Sequence, residues 1–380
     1  MIFSIFAVFA TLLVVALFVD RLVVRRIRVK RLEEKALLIT GCDSGPFKKF
    51  CFGFDLALKC LSSGISVFAS CRTQKGMDAL QSKAGMTDRL FAFMMDVTSD
   101  ASVQKGFAFV RKMLKESQKD LHALVSNAGI LGNSAFDDFL RVNDYKQVAE
   151  VNTFGAIRVI HSFKVLLKSS RGRIVGITSS CCRGHIPGTG PYSVSKHAIQ
   201  GYLEVLSENN RQEMRLFDVD VIIVEPGFFR TSLVNAETIE TTMASLWERT
   251  NQTTRLQYGE HFFKKCDPIL CGYYVTVIGI FVGTETAVKL LSTTSSPHTE
   301  WVVNAYYHAV TARFPQRRYQ VGYDSLLVFV PFSFLPPILQ DATVWFIRFI
   351  MRLPRPAIME NFNRSACVPD DNGIELNPTT

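Results

Sequence analysis

The sequence lacks any regular cysteine spacing, and nothing pairs its cysteines with histidine at metal-ligand intervals. Its nine cysteines (Cys42, Cys51, Cys60, Cys71, Cys181, Cys182, Cys266, Cys271, Cys367) are scattered irregularly along 380 residues. That excludes a disulfide scaffold and a zinc module, and it reads as buried thiols in a reducing compartment, with no metal site. No internal repeat is evident, which excludes solenoids and propellers. Excess charge is also missing from most of the chain. The net charge is +9, but seven Lys or Arg fall between Arg21 and Lys35, so the remainder is nearly neutral. A nucleic-acid-binding protein would carry that charge on a folded face with base-stacking partners. Here it directly follows an apolar run, so no nucleic acid is expected.

Residues 1–19 contain no charged side chain at all, and their length suffices to cross the roughly 30 Å hydrocarbon core as a helix. A cleaved signal peptide is the competing reading. Against it, no basic stretch precedes the run and no small-residue cleavage site follows. The basic juxtamembrane segment 20–35 predicts that the main domain stays cytoplasmic, which makes 1–19 a signal anchor. A second apolar stretch, 325–352, is broken by Pro331, Pro336, Pro337 and Asp341. An interfacial or re-entrant hairpin fits it better than a span, with a buried helical pair as the alternative. The run 271–283 is too short to span and has no assignment, and 353–380 is a polar tail. Asn251 and Asn363 head glycosylation acceptor triplets, which a cytoplasmic domain leaves unmodified.

Between these flanks, short β-rich runs alternate with helical stretches: 36–40, 65–70, 90–96, 122–127, 173–179 and 219–227. Several are continuously apolar, as strands covered on both faces should be. Six strands with helical crossovers predict an α/β fold, a doubly wound parallel sheet over 36–232, with 233–324 as a substrate-binding extension.

The most informative stretch is PYSVSKHAIQGY, 191–202. Tyr192 and Lys196 are four apart and share one helix face. A phenol ionises near pH 10, and a neighbouring ammonium is expected to lower that value toward the range useful in general acid–base catalysis. Ser179 lies thirteen residues before Tyr192 at the end of a predicted strand, with Ser180 as its competitor. SNAG (126–129), Asn152 in EVNTFG and EPGFFRT (225–231) add polar groups, two of the three at strand ends. Ligands of open parallel sheets bind at such ends.

Together these motifs resemble the short-chain dehydrogenase/reductase family, specifically its membrane-associated retinol and hydroxysteroid dehydrogenase branch. The resemblance runs in order through 36–232 and continues in ARFPQRRYQVGYD, 312–324. It implies a Rossmann fold and an oxidoreductase acting on a hydrophobic alcohol or carbonyl, retinoid-, steroid- or lipid-like. It also implies an endoplasmic-reticulum membrane location, and it admits a homo-oligomer. By the same resemblance Tyr192 is the general acid/base, and Lys196 holds the nicotinamide ribose. Ser179 orients the reacting oxygen and Asn152 anchors a water of the proton relay. Asn127, Ala128 and Gly129 line the cofactor, Asp96 contacts the adenine, and Pro226, Gly227 and Thr231 close over the carboxamide. The second strand ends in FASCRT, with Arg72 and no acid, which favours NADP(H) over NAD(H).

One stretch departs from the pattern. The family's phosphate cradle reads T-G-x-x-x-G-x-G; Thr40, Gly41 and Gly45 fit, and the next fitting glycine is Gly53, after six extra residues, PFKKFC (46–51). An outward loop, an exon-boundary choice and a disabled cradle are all open readings. Two function classes stand beside the main one: a dehydrogenase of small hydroxy acids such as 3-hydroxybutyrate, and a catalytically silent membrane protein that keeps the fold.

Overall fold

The computed structural model describes residues 20, 23–43, 51–184, 188–207, 213–231, 236–260, 295–350 and 356–360. The apolar run 1–19, Gly45, most of the insertion (46–50), the run 271–283 and the tail beyond 360 lie outside these residues.

Seven strands form one parallel sheet: β1 (Lys35–Thr40), β2 (Ser66–Cys71), β3 (Leu90–Met94), β4 (Asp120–Ser126), β5 (Arg173–Ile177), β6 (Asp220–Pro226) and β7 (Arg318–Val321). Their spatial order is β3-β2-β1-β4-β5-β6-β7. The helices are α1 (Phe52–Ser62), α2 (Gln74–Ala84), α3 (Asp100–Glu116), α4 (Val142–Ala149), α5 (Ala156–Ser170), α6 (Gly190–Ser207), α7 (Ala236–Glu248), α8 (Gln252–Tyr258), α9 (Glu300–Thr311) and α10 (Pro337–Ile350).

The central strands are largely apolar because both sheet faces are covered. Successive strand residues point to opposite faces. Leu37 and Ile39 of β1 therefore join Val125, Val175 and Val224 under α1 and α9, while Leu38 joins Leu124, Ile174 and Ile223 under α3, α5 and α6. Each fully buried leucine or isoleucine contributes roughly 1.5–3 kcal/mol. The strand order reverses between β1 and β4, so the crevice of the sheet opens at the carboxyl ends of those two strands.

The seventh strand corrects the expected six. Arg318–Val321 reads RYQV, half polar and only four residues long, too short to show a period. Pairing with β6 defines it: Pro226 lies opposite Val321, and Gly227 N–H donates to Val321 O at 2.7 Å. Together with α9, whose Tyr306 is fully buried, it shows that the sheet domain draws on residues well past 232.

Beyond β7 the chain makes a π-helical turn, Ser325–Phe329, and a short helix, Val330–Ser333. It restarts as α10 from Pro337, where a proline's missing N–H costs nothing. Ile338, Trp345, Phe346 and Phe349 of α10 are exposed. Among the described residues no helix is long and apolar enough to cross a membrane.

Candidate active site

At the crevice, the Thr40 hydroxyl accepts the backbone N–H groups of Asn127 (3.0 Å) and Ala128 (3.1 Å). The Asn127 side-chain amide donates back to the carbonyls of Thr40 and Gly41 at 3.0 and 3.1 Å. Gly41 has φ +69°, and a Cβ there would stand 2.7 Å from Ala128 Cα. Gly53 sits in the first turn of α1, where a Cβ would meet Asn127 Nδ2 at 2.6 Å and Gly41 O at 2.7 Å. The helix thus begins directly after the insertion, with Gly53 packed on Gly41. Both glycines let the β1 turn, the start of α1 and the turn after β4 pack closely at the crevice. This leaves a helix N-terminus there of the kind that holds a dinucleotide's pyrophosphate, so the residues fit such a cofactor.

Arg72 and Asp96 leave the ends of β2 and β3. Asp96 accepts Thr98 N–H (2.9 Å) and its hydroxyl (2.8 Å), and the Thr98 N–H holds its carboxyl below the usual range. Asp43 was not foreseen. Its carboxylate accepts the N–H groups of Arg72 (2.7 Å) and Thr73 (2.9 Å) and the Thr73 hydroxyl (2.8 Å). An acid thus stands beside the end of β2, brought there from the β1 turn by a pairing 29 residues apart that no local pattern reveals.

Asn152 lies in a π-helical segment, Glu150–Gly155, between α4 and α5. Such bulges re-aim side chains at functional sites. Its carboxamide takes both backbone groups of Ile130, accepting N–H at 2.8 Å and donating to O at 2.9 Å, and donates to Ser195 Oγ at 3.0 Å. Ser195 in turn donates to Tyr192 O at 2.7 Å. A Cβ on Gly129 would lie 3.2 Å from Asn152 Oδ1 and 3.7 Å from Lys196 Nζ. This glycine is therefore where the two side chains meet.

Tyr192 and Lys196 share one face of α6, with Nζ 5.6 Å from the phenol ring centroid. The Ser179 hydroxyl, which accepts Cys181 N–H at 3.3 Å, lies beside the Tyr192 phenol and favours its ionised form. Ser180 is buried with no hydrogen-bond partner for its hydroxyl, so of the two serines Ser179 is the one aimed at the phenol. The phenol's pKa is pushed up, against the expected lowering. Burial raises it, and the nearby Cys181 thiol adds to the rise. Lys196 turns toward Ile177 O at 3.3 Å, and burial brings its own pKa down to about 8. For both groups desolvation is the largest influence.

Cys181 and Cys182 follow the serines. The two thiols influence each other: Cys182 holds the pKa of Cys181 down, and Cys181 raises that of Cys182. Both pack with Tyr192, Phe228 and Phe329 in a small apolar cluster. Pro226 and Gly227 close β6, and Thr231 is buried just beyond. Glu225, fully buried, accepts Arg183 at 3.0 and 3.3 Å and also pairs with Arg318. That network ties the ends of β5, β6 and β7 together, and the sequence gives no sign of it.

The short chain dehydrogenase family model matches residues 35–241. A 3beta-hydroxysteroid dehydrogenase of Caenorhabditis elegans is 36% identical over 85% of this chain and 77% of that protein. Retinol dehydrogenase 5 of Mus musculus is 36% identical over 84% of this chain and 89% of that protein. Among solved structures, a short chain dehydrogenase/reductase from Burkholderia phymatum in complex with NAD superposes with a TM-score of 0.54. It covers 86% of this chain and 99% of that one at 18% identity, a likeness of fold.

Proposed function

This chain belongs to the short-chain dehydrogenase family, in its retinol and hydroxysteroid branch, and we propose that its Tyr192 centre interconverts a hydrophobic alcohol and its carbonyl. It is an NAD(P)-dependent oxidoreductase. One observation carries the reading of the centre. Ser179 after β5, Tyr192 and Lys196 on α6, and Asn152 in the π-helical segment come from three separate stretches of chain and gather at the carboxyl ends of β4 and β5, with the Ser179 side chain beside the phenol.

When bound, the nicotinamide takes or supplies the hydride. In the oxidising direction the Tyr192 oxygen accepts the alcohol proton; in the reducing direction it returns that proton to the carbonyl oxygen. Ser179 holds the reacting oxygen beside the phenol. Lys196, charged in the loaded site, stabilises the phenolate and binds the ribose. Asn152 fixes the turn after β4 through Ile130 and keeps the relay in line. Thr40, Gly41, Gly53 and Asn127 to Gly129, with Gly45 by the family resemblance, would form the cofactor's bed, and Arg72, Asp43 and Asp96 would face its adenosine half. Pro226, Gly227 and Thr231 would cover the carboxamide.

An apolar substrate, retinoid-, steroid- or lipid-like, is supported by the wall beside Tyr192, where Phe228, Phe329 and the cysteine pair pack together. A small hydroxy acid calls for a cation there, and Arg183 is instead engaged by Glu225. The exposed aromatic residues of α10 support attachment of 325–352 to a membrane surface. With the anchor 1–19, this would place the catalytic domain on the cytoplasmic face of the endoplasmic reticulum. The reading is tested by offering retinol, 3β- and 17β-hydroxysteroids and 3-hydroxybutyrate to membrane-extracted protein with either dinucleotide, beside Tyr192→Phe. Turnover of an apolar alcohol that disappears in Tyr192→Phe, with dinucleotide binding retained, is expected. Full activity in Tyr192→Phe would sink the assignment.

A further inference from the structure

The 312–324 segment, ARFPQRRYQVGYD, has no role in the chemistry above, yet one of its residues grips the end of β6 and two more grip the loop that leaves it. Arg318 pairs with the buried Glu225 and, at 2.6 Å, with Glu204 of α6. Val321 O accepts Gly227 N–H at 2.7 Å. Asp324 Oδ2 accepts Phe228 N–H at 2.6 Å. The Asp324 carboxylate lies directly over the Gly227 α-carbon, where a Cβ would come within 2.1 and 2.2 Å of its two oxygens. Gly322, at φ +112°, provides the turn that brings the carboxylate there; a Cβ on it would stand 2.3 Å from Asp324 Oδ1. Two glycines are thus bare around one acid.

The held loop points two ways. Phe228 packs in the Tyr192 cluster, 5.7 Å edge-to-face from Phe329. Phe229 is buried on the other side, 6.0 Å from Phe52 at the start of α1. A shift of the Phe228 amide would therefore move the substrate-side wall and the cradle-side contact together. Burial holds the Asp324 pKa above the usual carboxylate range, with the Phe228 N–H opposing.

We propose that Asp324 is a positioning residue: by gripping the Phe228 amide over Gly227, it fixes the post-β6 loop between cofactor and substrate without touching the reacting atoms. The inference rests on the functional reading above. Without the grip the loop stays attached through β7 pairing and through Ser296, whose N–H donates to Phe228 O at 2.9 Å. The fold should survive while the loop's aim does not.

The test compares Asp324→Ala, Asp324→Asn and wild type by melting temperature, by dinucleotide affinity from quenching of protein fluorescence, and by kcat and KM for the best alcohol of the panel. Asp324→Ala is expected to stay folded, to bind dinucleotide about ten- to a hundredfold more weakly, the range for losing a charge-assisted hydrogen bond, and to raise the alcohol's KM. Asp324→Asn, which keeps an acceptor oxygen, should recover most of that affinity. Unchanged dinucleotide affinity and KM in folded Asp324→Ala overturn the proposal while leaving the function intact. Should Asp324→Ala fail to fold, Asp324→Asn and Asp324→Ser decide: equal affinity in both and in wild type overturns it, and loss in Ser with retention in Asn supports it. A wild-type protein that binds neither dinucleotide overturns both readings.

Discussion

The Asp43 carboxylate accepts the backbone N–H of Arg72 at 2.7 Å, so an acid and a guanidinium-bearing residue occupy one corner of the cofactor crevice. A ribose 2′-hydroxyl suits the first and a 2′-phosphate the second. Arg72→Leu should therefore weaken NADP(H) by about one to two orders of magnitude and NAD(H) far less. Asp43→Asn should shift preference the other way, toward NADP(H). Titration of both variants with both dinucleotides checks this, and equal effects on the two cofactors would place the corner away from the ribose.

The adjacent serines should separate cleanly. Ser179 lies beside the Tyr192 phenol and favours its ionised form, whereas the Ser180 hydroxyl is buried without a partner. Ser179→Ala is expected to lower kcat by roughly a hundred- to a thousandfold, the usual effect of losing one preorganised polar contact. Ser180→Ala should leave turnover near wild type, and it should hold or raise stability by about 1 kcal/mol, since an unsatisfied buried hydroxyl is removed. The reverse ranking would exchange their roles.

His122 in β4 offers a pH test. Its Nε2 lies 3.0 Å from Val310 O, and burial, with Arg173 and Lys35 adding to it, holds its pKa down from 6.5 to about 3. Between those values the unfolded chain binds a proton that the folded chain refuses, so stability falls as pH drops through this window. The loss should reach roughly a few kcal/mol at the acid end. In His122→Leu this part of the slope should vanish, although stability at neutral pH also drops because Val310 O loses its partner. Denaturant melts of both proteins across the window give the difference curve, and parallel curves would refute a neutral buried imidazole.

Deleting Pro46 through Cys51 should leave dinucleotide affinity unchanged or tighten it. Gly53 already packs on Gly41 with the insertion in place, and closing a loop shorter by six residues changes little chain entropy. Abolished binding in a folded deletion variant would make Lys48 and Lys49 phosphate ligands. Parallel measurements of affinity and melting temperature separate the two outcomes.

Much of this architecture was legible because its signals are local. Six of the strands are apolar runs, and Tyr192, Lys196 and Ser179 are spaced along one strand–turn–helix unit. What escaped was set by distance along the chain. Asp43 meets Arg72 across two strands, and Glu225 meets Arg318 across 93 residues. The short polar β7 becomes a strand only through its neighbour. The upward push on the phenol was hidden for a related reason: an i,i+4 spacing shows that a lysine is near but not how completely both groups are buried.

The late position of β7 has a consequence for how the protein is made. Every residue assigned to the reaction is translated by Thr231, but the strand that covers β6 comes at 318–321. Until then the nascent chain carries β6 as an open edge of Val221, Ile222, Ile223 and Val224, a template for pairing with other chains. A fragment ending near residue 241, where the family match stops, would hold the catalytic side chains and still expose that edge. It should emerge from the ribosome as a client for chaperones and accumulate in aggregates, whereas a fragment that continues past Asp324 should not.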